Sequence, residues 1–339
     1  MKISKDEIFV LLNEYALRDE IEISVEYPPL ELNLFTLNIA NFRITDIVSQ
    51  KDFDLARKKR IQSEFLRRDL PTHRDLLDVF LSSAILKFEN EEEIEKNFKL
   101  LKESIRDRTM YVKPFFIGID TNIAYYRIIS RRLNSQFRYV ISDIVVDEID
   151  ARIHTKYSGR MLREFSKLPY SKILMEFANA SVKDARKAKN AMTEIDYMTN
   201  KLDAFRTGTK TSTQDKEVRD REIARDYRRF SKEINAEVIL LTADKDMVFH
   251  ASAEEMSSIY FKLPHELYVD KIDVANIPYL FYDLVLVFGI VKINNTILLG
   301  EWRGKDVDDY FGENIKIYNT DTATAKDLAI CRGVLDESP

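Results

Sequence analysis

The chain has 339 residues, 45% hydrophobic and 32% charged, with 8 Gly, 8 Pro, 1 Cys and 4 His. That is a globular composition with room for two or three domains. It excludes a disordered chain, a disulfide framework and an all-Cys zinc site. Net charge is −5, yet between Ala151 and Lys232 there are 20 Lys and Arg against 11 Asp and Glu, a basic region that faces either a polyanion or plain solvent.

"MKISKDEIFVLLNEY" sets charges on both sides of a very short apolar run, which is no signal pattern. "LVLVFGIV" (Leu284–Val291) falls far short of the roughly 20 residues a membrane helix needs. The expectation is a cytoplasmic protein in a reducing compartment, with no membrane partner. Richness in Ile, Lys, Arg and Glu with little Gln and Cys resembles hyperthermophile usage, and an archaeal source is expected from it.

In chain order, residues 1–113 read as an α+β N-terminal module. "KDEIFVLLNEYALRDE" has helical spacing, and "IEISVEY" alternates as a strand that Pro28-Pro29 ends. "FTLNIANFRITDIV" is strand-like, with Phe35, Leu37 and Ile39 in one register. Three charged helices follow, around Phe53–Arg68, Thr72–Phe88 and Glu91–Arg106, with Pro71 at the start of the second.

Residues 114–264 alternate strand and helix, which makes a parallel α/β sheet. "FFIGID" is a buried strand and "NIAYYRIISRRLN" a helix. "FRYVISDIVVDEIDARI" is a strand, then a helix from Ser142 or Asp143. Residues 151–215, roughly, read as a basic helical insert ending in the polar loop "TGTKTSTQ". "DKEVRDREIARDYRRFSKEI" is a helix with Val218, Ile223, Tyr227, Phe230 and Ile234 inward. "AEVILLTADKDM" is a second buried strand, and "SSIYFKL" a third. Residues 265–339 read as a small β-rich C-terminal module, with "LVLVFGIVKI" and "TILLGEWRG" flanking the hairpin signal Asn294-Asn295.

Two strands of the middle segment end on acids, at Asp120 and at Asp244 with Asp246 beyond. The carboxyl ends of parallel strands line the edge where ligands bind. Glu148 lies in the first turns of a helix on that side, and Asp220 near the start of another. Carboxylates gathered there repel one another, and a bound cation resolves the repulsion. Hard oxygen donors, with few His and no Cys, select Mg²⁺ or Mn²⁺, one or two ions. Each acid also has a bland alternative. Asp120 can be an N-cap, Asp244 and Asp246 a strand-to-helix turn, and Glu148 an acid favoured in a first helical turn.

The pieces "GIDTN", "VVDEID", "DREIA" and "LLTADKDM", in that order, resemble the PIN domain of the flap-endonuclease-like superfamily, over about Phe115–Pro264. The expected fold class is therefore α/β: a central parallel-sheet PIN-like domain, an α+β N-terminal module and a small β-rich C-terminal module. The resemblance implies an endoribonuclease in which Mg²⁺- or Mn²⁺-activated water hydrolyses RNA, leaving 5′-phosphate and 3′-hydroxyl ends. It implies catalytic roles for Asp120, Glu148, Asp220, Asp244 and Asp246, with Asp120, Glu148, Asp220 and Asp244 as metal ligands. Asn122 and Thr242 would orient ligands or touch substrate.

The segment between Glu148 and Asp220 is longer than in compact members. The third acid is Asp220, on the acid-then-Ile pattern, or Asp226, which lies nearer Asp244 in spacing. Arg131, Arg132, Arg152, Lys156, Arg160 and Arg163 are candidates to contact RNA phosphates, with Tyr157 or Tyr170 stacking bases. Trp302 with Arg303 and Lys305 is a further candidate on the C-terminal module. The expected partner is single-stranded or loop RNA, with a homo-oligomer possible. The alternatives are a catalytically silent PIN-type scaffold and a structure-selective DNA nuclease, whose acids would be the same.

Overall fold

A computed structural model describes residues 1–106, 113–133, 137–209, 215–300, 314–319 and 322–336. Trp302, Arg303 and Lys305 lie outside the described residues.

The N-terminal stretch runs β1 (Lys2–Ser4), α1 (Ile8–Leu17), β2 (Glu22–Tyr27), β3 (Leu32–Asn38), β4 (Arg43–Thr45), α2 (Gln50–Arg60), α3 (Glu64–Asp69), α4 (His73–Ser82) and α5 (Glu91–Arg106). Thr72 starts α4 with a full capping box, its side chain meeting the Asp75 amide while Asp75 reaches back.

The middle of the chain gives β5 (Phe115–Ile119), α6 (Thr121–Tyr125), β6 (Tyr139–Ile141), α7 (Asp143–Ile153), α8 (Gly159–Phe165), α9 (Ser171–Leu174), α10 (Lys183–Lys201), β7 (Phe205–Arg206), α11 (Lys216–Glu233), β8 (Glu237–Thr242), α12 (Lys245–Ala253) and β9 (Ser257–Tyr260). The helix expected after Asn122 is α6 followed by a separate π-helical turn, Ile129–Leu133. On α11, Ile223, Tyr227 and Phe230 face inward as expected, but Val218 and Ile234 at its two ends are exposed.

After these come α13 (Ile277–Phe288), β10 (Ile290–Ile293), β11 (Thr296–Leu299), β12 (Asn314–Tyr318) and a final helix, Thr322–Asp336. The run expected to begin a strand at Leu284 is instead the end of α13. Pro278 sits in its first turn and Gly289 closes it at φ +77°, and every side chain of α13 except Tyr279 is buried. A helix that is apolar all round cannot be told from a buried strand by periodicity. The hairpin at Asn294-Asn295 forms as expected, with Asn294 at φ +46°.

The chain divides into two compact units. One holds Met1–Leu86, Thr155–Lys187 and Leu267–Pro339; the other holds Lys87–His154 and Ala188–Glu266. Most of the expected N-terminal module therefore shares a unit with the C-terminal one, while α5 falls in the unit of the parallel sheet. Their strands interleave in one antiparallel sheet ordered β1-β12-β11-β10-β2-β3-β4. Part of the expected basic insert belongs there too: Tyr157, Phe165 and Phe177 cluster with Phe65, and Arg186, buried, bonds the Leu286 and Val287 carbonyls.

The second unit is built on a parallel five-stranded sheet ordered β7-β6-β5-β8-β9. Strands β5 and β8 are central and buried, as continuous apolar runs require in a sheet covered on both faces. Beneath its edge, the Tyr227 hydroxyl donates to the Ile119 carbonyl (2.6 Å) and accepts from the Ile119 (3.2 Å) and Ser142 (3.1 Å) amides. It thus ties the ends of β5 and β6. Gly118 makes room for that ring: a Cβ there would stand 3.1 Å from Tyr227 and from Val238.

Candidate active site

Strands β5 and β8 pair in register from Phe115↔Glu237 to Ile119↔Leu241, so both chains leave the sheet side by side. Each exit residue caps the next helix. The Asp120 carboxylate accepts from the Ile123 amide (3.0 Å), and that of Asp244 from the Asp246 amide (2.9 Å). The capping role considered for Asp120 is therefore real, and it engages only one oxygen. Its other oxygen takes the Thr242 hydroxyl, which in turn accepts from the Asp244 amide (2.9 Å).

From here the acids can be followed in a closed ring. Thr121, beside Asp120, donates to Glu148 on α7 (2.7 Å). Arg219 on α11 pairs with the other oxygen of Glu148 (3.3 Å) and adjoins Asp220. Lys216 stands 4.0 Å from Asp220 and 2.9 Å from Asp244. Thr242 then leads back from Asp244 to Asp120. The structure thus brings Asp120, Glu148, Asp220 and Asp244 to one sheet edge, with Asp246 exposed in the first turn of α12.

The charges are felt across the ring. Burial pushes the Asp120 carboxyl up to about 6, with Asp244 adding to the rise against the hydrogen bonds from Thr242, Ile123 and Asn122. Asp220 is raised by burial, and Asp244 and Glu148 add to this against Lys216. For Asp244 burial works upward too, but the Lys216 ammonium and the Asp246 amide outweigh it and hold the carboxyl low. Lys216 is raised in turn by its hydrogen bond to Asp244.

Asp226 does not join the ring. It is buried behind it, one oxygen accepting from both Ser142 and Thr207 hydroxyls at 2.6 Å. Six positions after Asp220 on α11, it points into the protein.

The basic candidates separate as well. Arg132 is largely buried, paired with Glu91 (3.1 Å) and lying over the Phe88 ring. Arg131 occupies the same π-helical turn, half-buried. Arg152 pairs with Glu148 (3.0 Å). Lys156, Arg160 and Arg163 are exposed, in the other unit. Tyr157 cannot stack a base: it is buried, donating to Asp69 (2.7 Å) and accepting from Arg186 (3.0 Å). Tyr170 is exposed.

A model of the PIN domain family matches residues 117–262. This stretch is a PIN domain. Comparison with curated proteins and with solved structures returned no match. The PIN match spans β5 to β9 and contains the whole acid ring. The fold is that of a nuclease family whose members are generally Mg²⁺- or Mn²⁺-dependent. No described helix of the chain is long and apolar enough to cross a membrane.

The donor chemistry of the ring fits such an ion, because every acid in it offers hard oxygen. As the side chains are placed, no three Asp, Glu, His or Cys among the described residues are gathered to grip one ion. The PIN ring instead carries its own cations, Lys216, Arg219 and Arg152, on Asp244 and Glu148. Sequence reasoning missed Lys216, Arg219 and Thr121. Lys216 lies one helical turn before Asp220 and Arg219 directly before it, but nothing local tells which acid of another element each will meet.

Proposed function

We propose that the chain is a Mg²⁺- or Mn²⁺-dependent endoribonuclease whose centre is the acid ring of the PIN domain. The observation that carries the reading is the convergence of Asp120, Glu148, Asp220 and Asp244 on one edge of a parallel sheet, linked through Thr242, Thr121, Arg219 and Lys216. A fold has no structural need to bury mutually repelling carboxylates at a strand end. Asp120, Glu148, Asp220 and Asp244 would hold the ion, with Asp246 at the rim. When bound, a divalent ion activates water and offsets phosphate charge.

The chain's own groups prepare that place. Thr242 fixes one oxygen of Asp120, and the Ile123 amide fixes the other. Thr121 orients Glu148, and such outer partners hold ligands in a usable direction. Lys216, 72% exposed at its side chain, can leave Asp244 at little cost, since exposed ion pairs contribute little. Hydrolysis would leave 5′-phosphate and 3′-hydroxyl ends, as the PIN resemblance implies.

The experiment is cleavage of matched RNA and DNA strands by the purified chain with Mn²⁺, Mg²⁺ or chelator. RNA cut only with a divalent ion, and not by Asp120→Asn, is the expected result. DNA cut in preference would assign a DNA nuclease instead. Equal residual activity in wild type and Asp120→Asn would refute the catalytic reading.

A further inference from the structure

Helices α11 and α12 lie side by side and run in the same direction. Lys216 pairs with Asp244, Arg225 with Glu254 and Arg228 with Glu255, partners 28, 29 and 27 positions later in the chain. Both helices therefore begin at the acid ring, and residues about 28 apart stand level along the pair. Arg221, Arg225 and Arg228 form one stripe at helical spacing toward α12. Arg225 and Arg228 meet acids of the segment that ends α12. Among the described residues Arg221 instead pairs with Glu217 of its own helix, at 3.4 Å, with side chains 45% and 77% exposed.

The residue level with Arg221 on α12 is Phe249. It is 72% exposed, on the face of α12 opposite the buried Met247 and Ala251. It lies three positions after Asp246, so the two side chains share a surface of the helix. Lys245 is exposed on the same face. A bare aromatic ring and a loosely held guanidinium thus sit about one turn from the acids, at the same height.

We propose that Phe249 and Arg221 form a nucleotide subsite beside the acid ring, with the ring stacking under an unpaired base and the guanidinium taking a neighbouring phosphate. A π-face is offered by every base, so the subsite selects for an unpaired strand rather than for sequence. A duplex keeps its bases stacked on one another and gives Phe249 nothing to cover. The inference rests on the nuclease reading and its RNA assignment, and it adds that the strand at that site is unpaired.

The test uses the full chain in chelator, so that no strand is cut, and follows fluorescence anisotropy of a short labelled oligouridine and of an RNA duplex. Phe249→Ala is expected to weaken oligouridine binding about tenfold and to leave duplex binding as it is, while Phe249→Tyr retains wild-type affinity. Arg221→Gln is expected to lower the slope of log affinity against log salt by about one. An oligothymidine arm separates RNA from DNA: a larger loss on uridine supports the RNA assignment, and loss on thymidine alone overturns it. Equal weakening on strand and duplex, or unchanged oligouridine binding in Phe249→Ala, overturns the subsite and leaves the nuclease reading standing. No binding of any nucleic acid by wild type in chelator overturns the subsite and leaves the nuclease reading to the cleavage experiment.

Discussion

Replacing Asp120 by Asn should make the metal-free protein more stable while abolishing its proposed chemistry. In the fold the Asp120 carboxyl titrates at about 6, against 3.8 for the free group, chiefly because it is buried. A folded-state value raised in this way means that the protonated acid suits the fold. Its stabilising contribution is complete below about pH 4 and is lost as pH rises through about 6. At pH 8 the buried charge then costs about 3 kcal/mol.

Asn removes that charge and keeps an oxygen for the Ile123 amide. Its NH₂ can donate to the Thr242 hydroxyl, which can turn its own proton to the Asp244 carbonyl 3.3 Å away. A net gain of about 1–3 kcal/mol is expected at pH 8 in chelator, since imperfect hydrogen bonds recover part of the gain. Hydrogen exchange of the β5 and β8 amides, compared between wild type and Asp120→Asn at each pH, reads this locally. The variant should be better protected at pH 8 and the difference should vanish toward pH 4. Mn²⁺ should protect wild type alone. A variant less protected at pH 8, or a difference that does not change with pH, would show that the buried Asp120 charge does not destabilise the fold.

Four further changes separate support from site. Tyr227→Phe removes the hydroxyl that serves the Ile119 carbonyl and the Ile119 and Ser142 amides, and denaturant unfolding should show a loss of about 1–3 kcal/mol. Asp226→Ala strips the shared acceptor of Ser142 and Thr207; unfolding should show a similar loss of about 1–3 kcal/mol, with Mn²⁺ affinity by calorimetry unchanged. Asp220→Asn should do the reverse, weakening Mn²⁺ binding while stabilising the chelated protein at neutral pH, because burial raises that carboxyl. Glu194→Gln leaves the buried Arg127 guanidinium without its counter-charge and weakens the bonds to the Ile129 and Ser130 amides; a loss of about 3 kcal/mol in unfolding free energy is expected.

What the sequence discloses and what it conceals divide along local and non-local lines. The strands β5 and β8 are readable as short apolar runs, and the acids at their ends as caps, because both signals lie within a few residues. The Asn294-Asn295 hairpin is readable for the same reason. The antiparallel sheet is not, since it pairs β1 with β12 and β2 with β10 across almost the whole chain. The choice of Asp220 over Asp226 turns on the direction of a helix face, which the spacing of apolar residues on α11 suggests but does not fix. Arg132 and Tyr157 look like surface groups in sequence and are buried through Glu91, Asp69 and Arg186, partners no local pattern identifies.

If the acid ring of the PIN domain cuts RNA with a divalent ion, the ends it leaves carry the signature of that chemistry. They are read by sequencing the RNA ends produced by the purified chain in Mn²⁺, beside Asp120→Asn. New 5′-phosphate and 3′-hydroxyl ends are expected in the wild-type reaction and none from the variant. Ends bearing a 2′,3′-cyclic phosphate, or the same ends in both reactions, would contradict that chemistry.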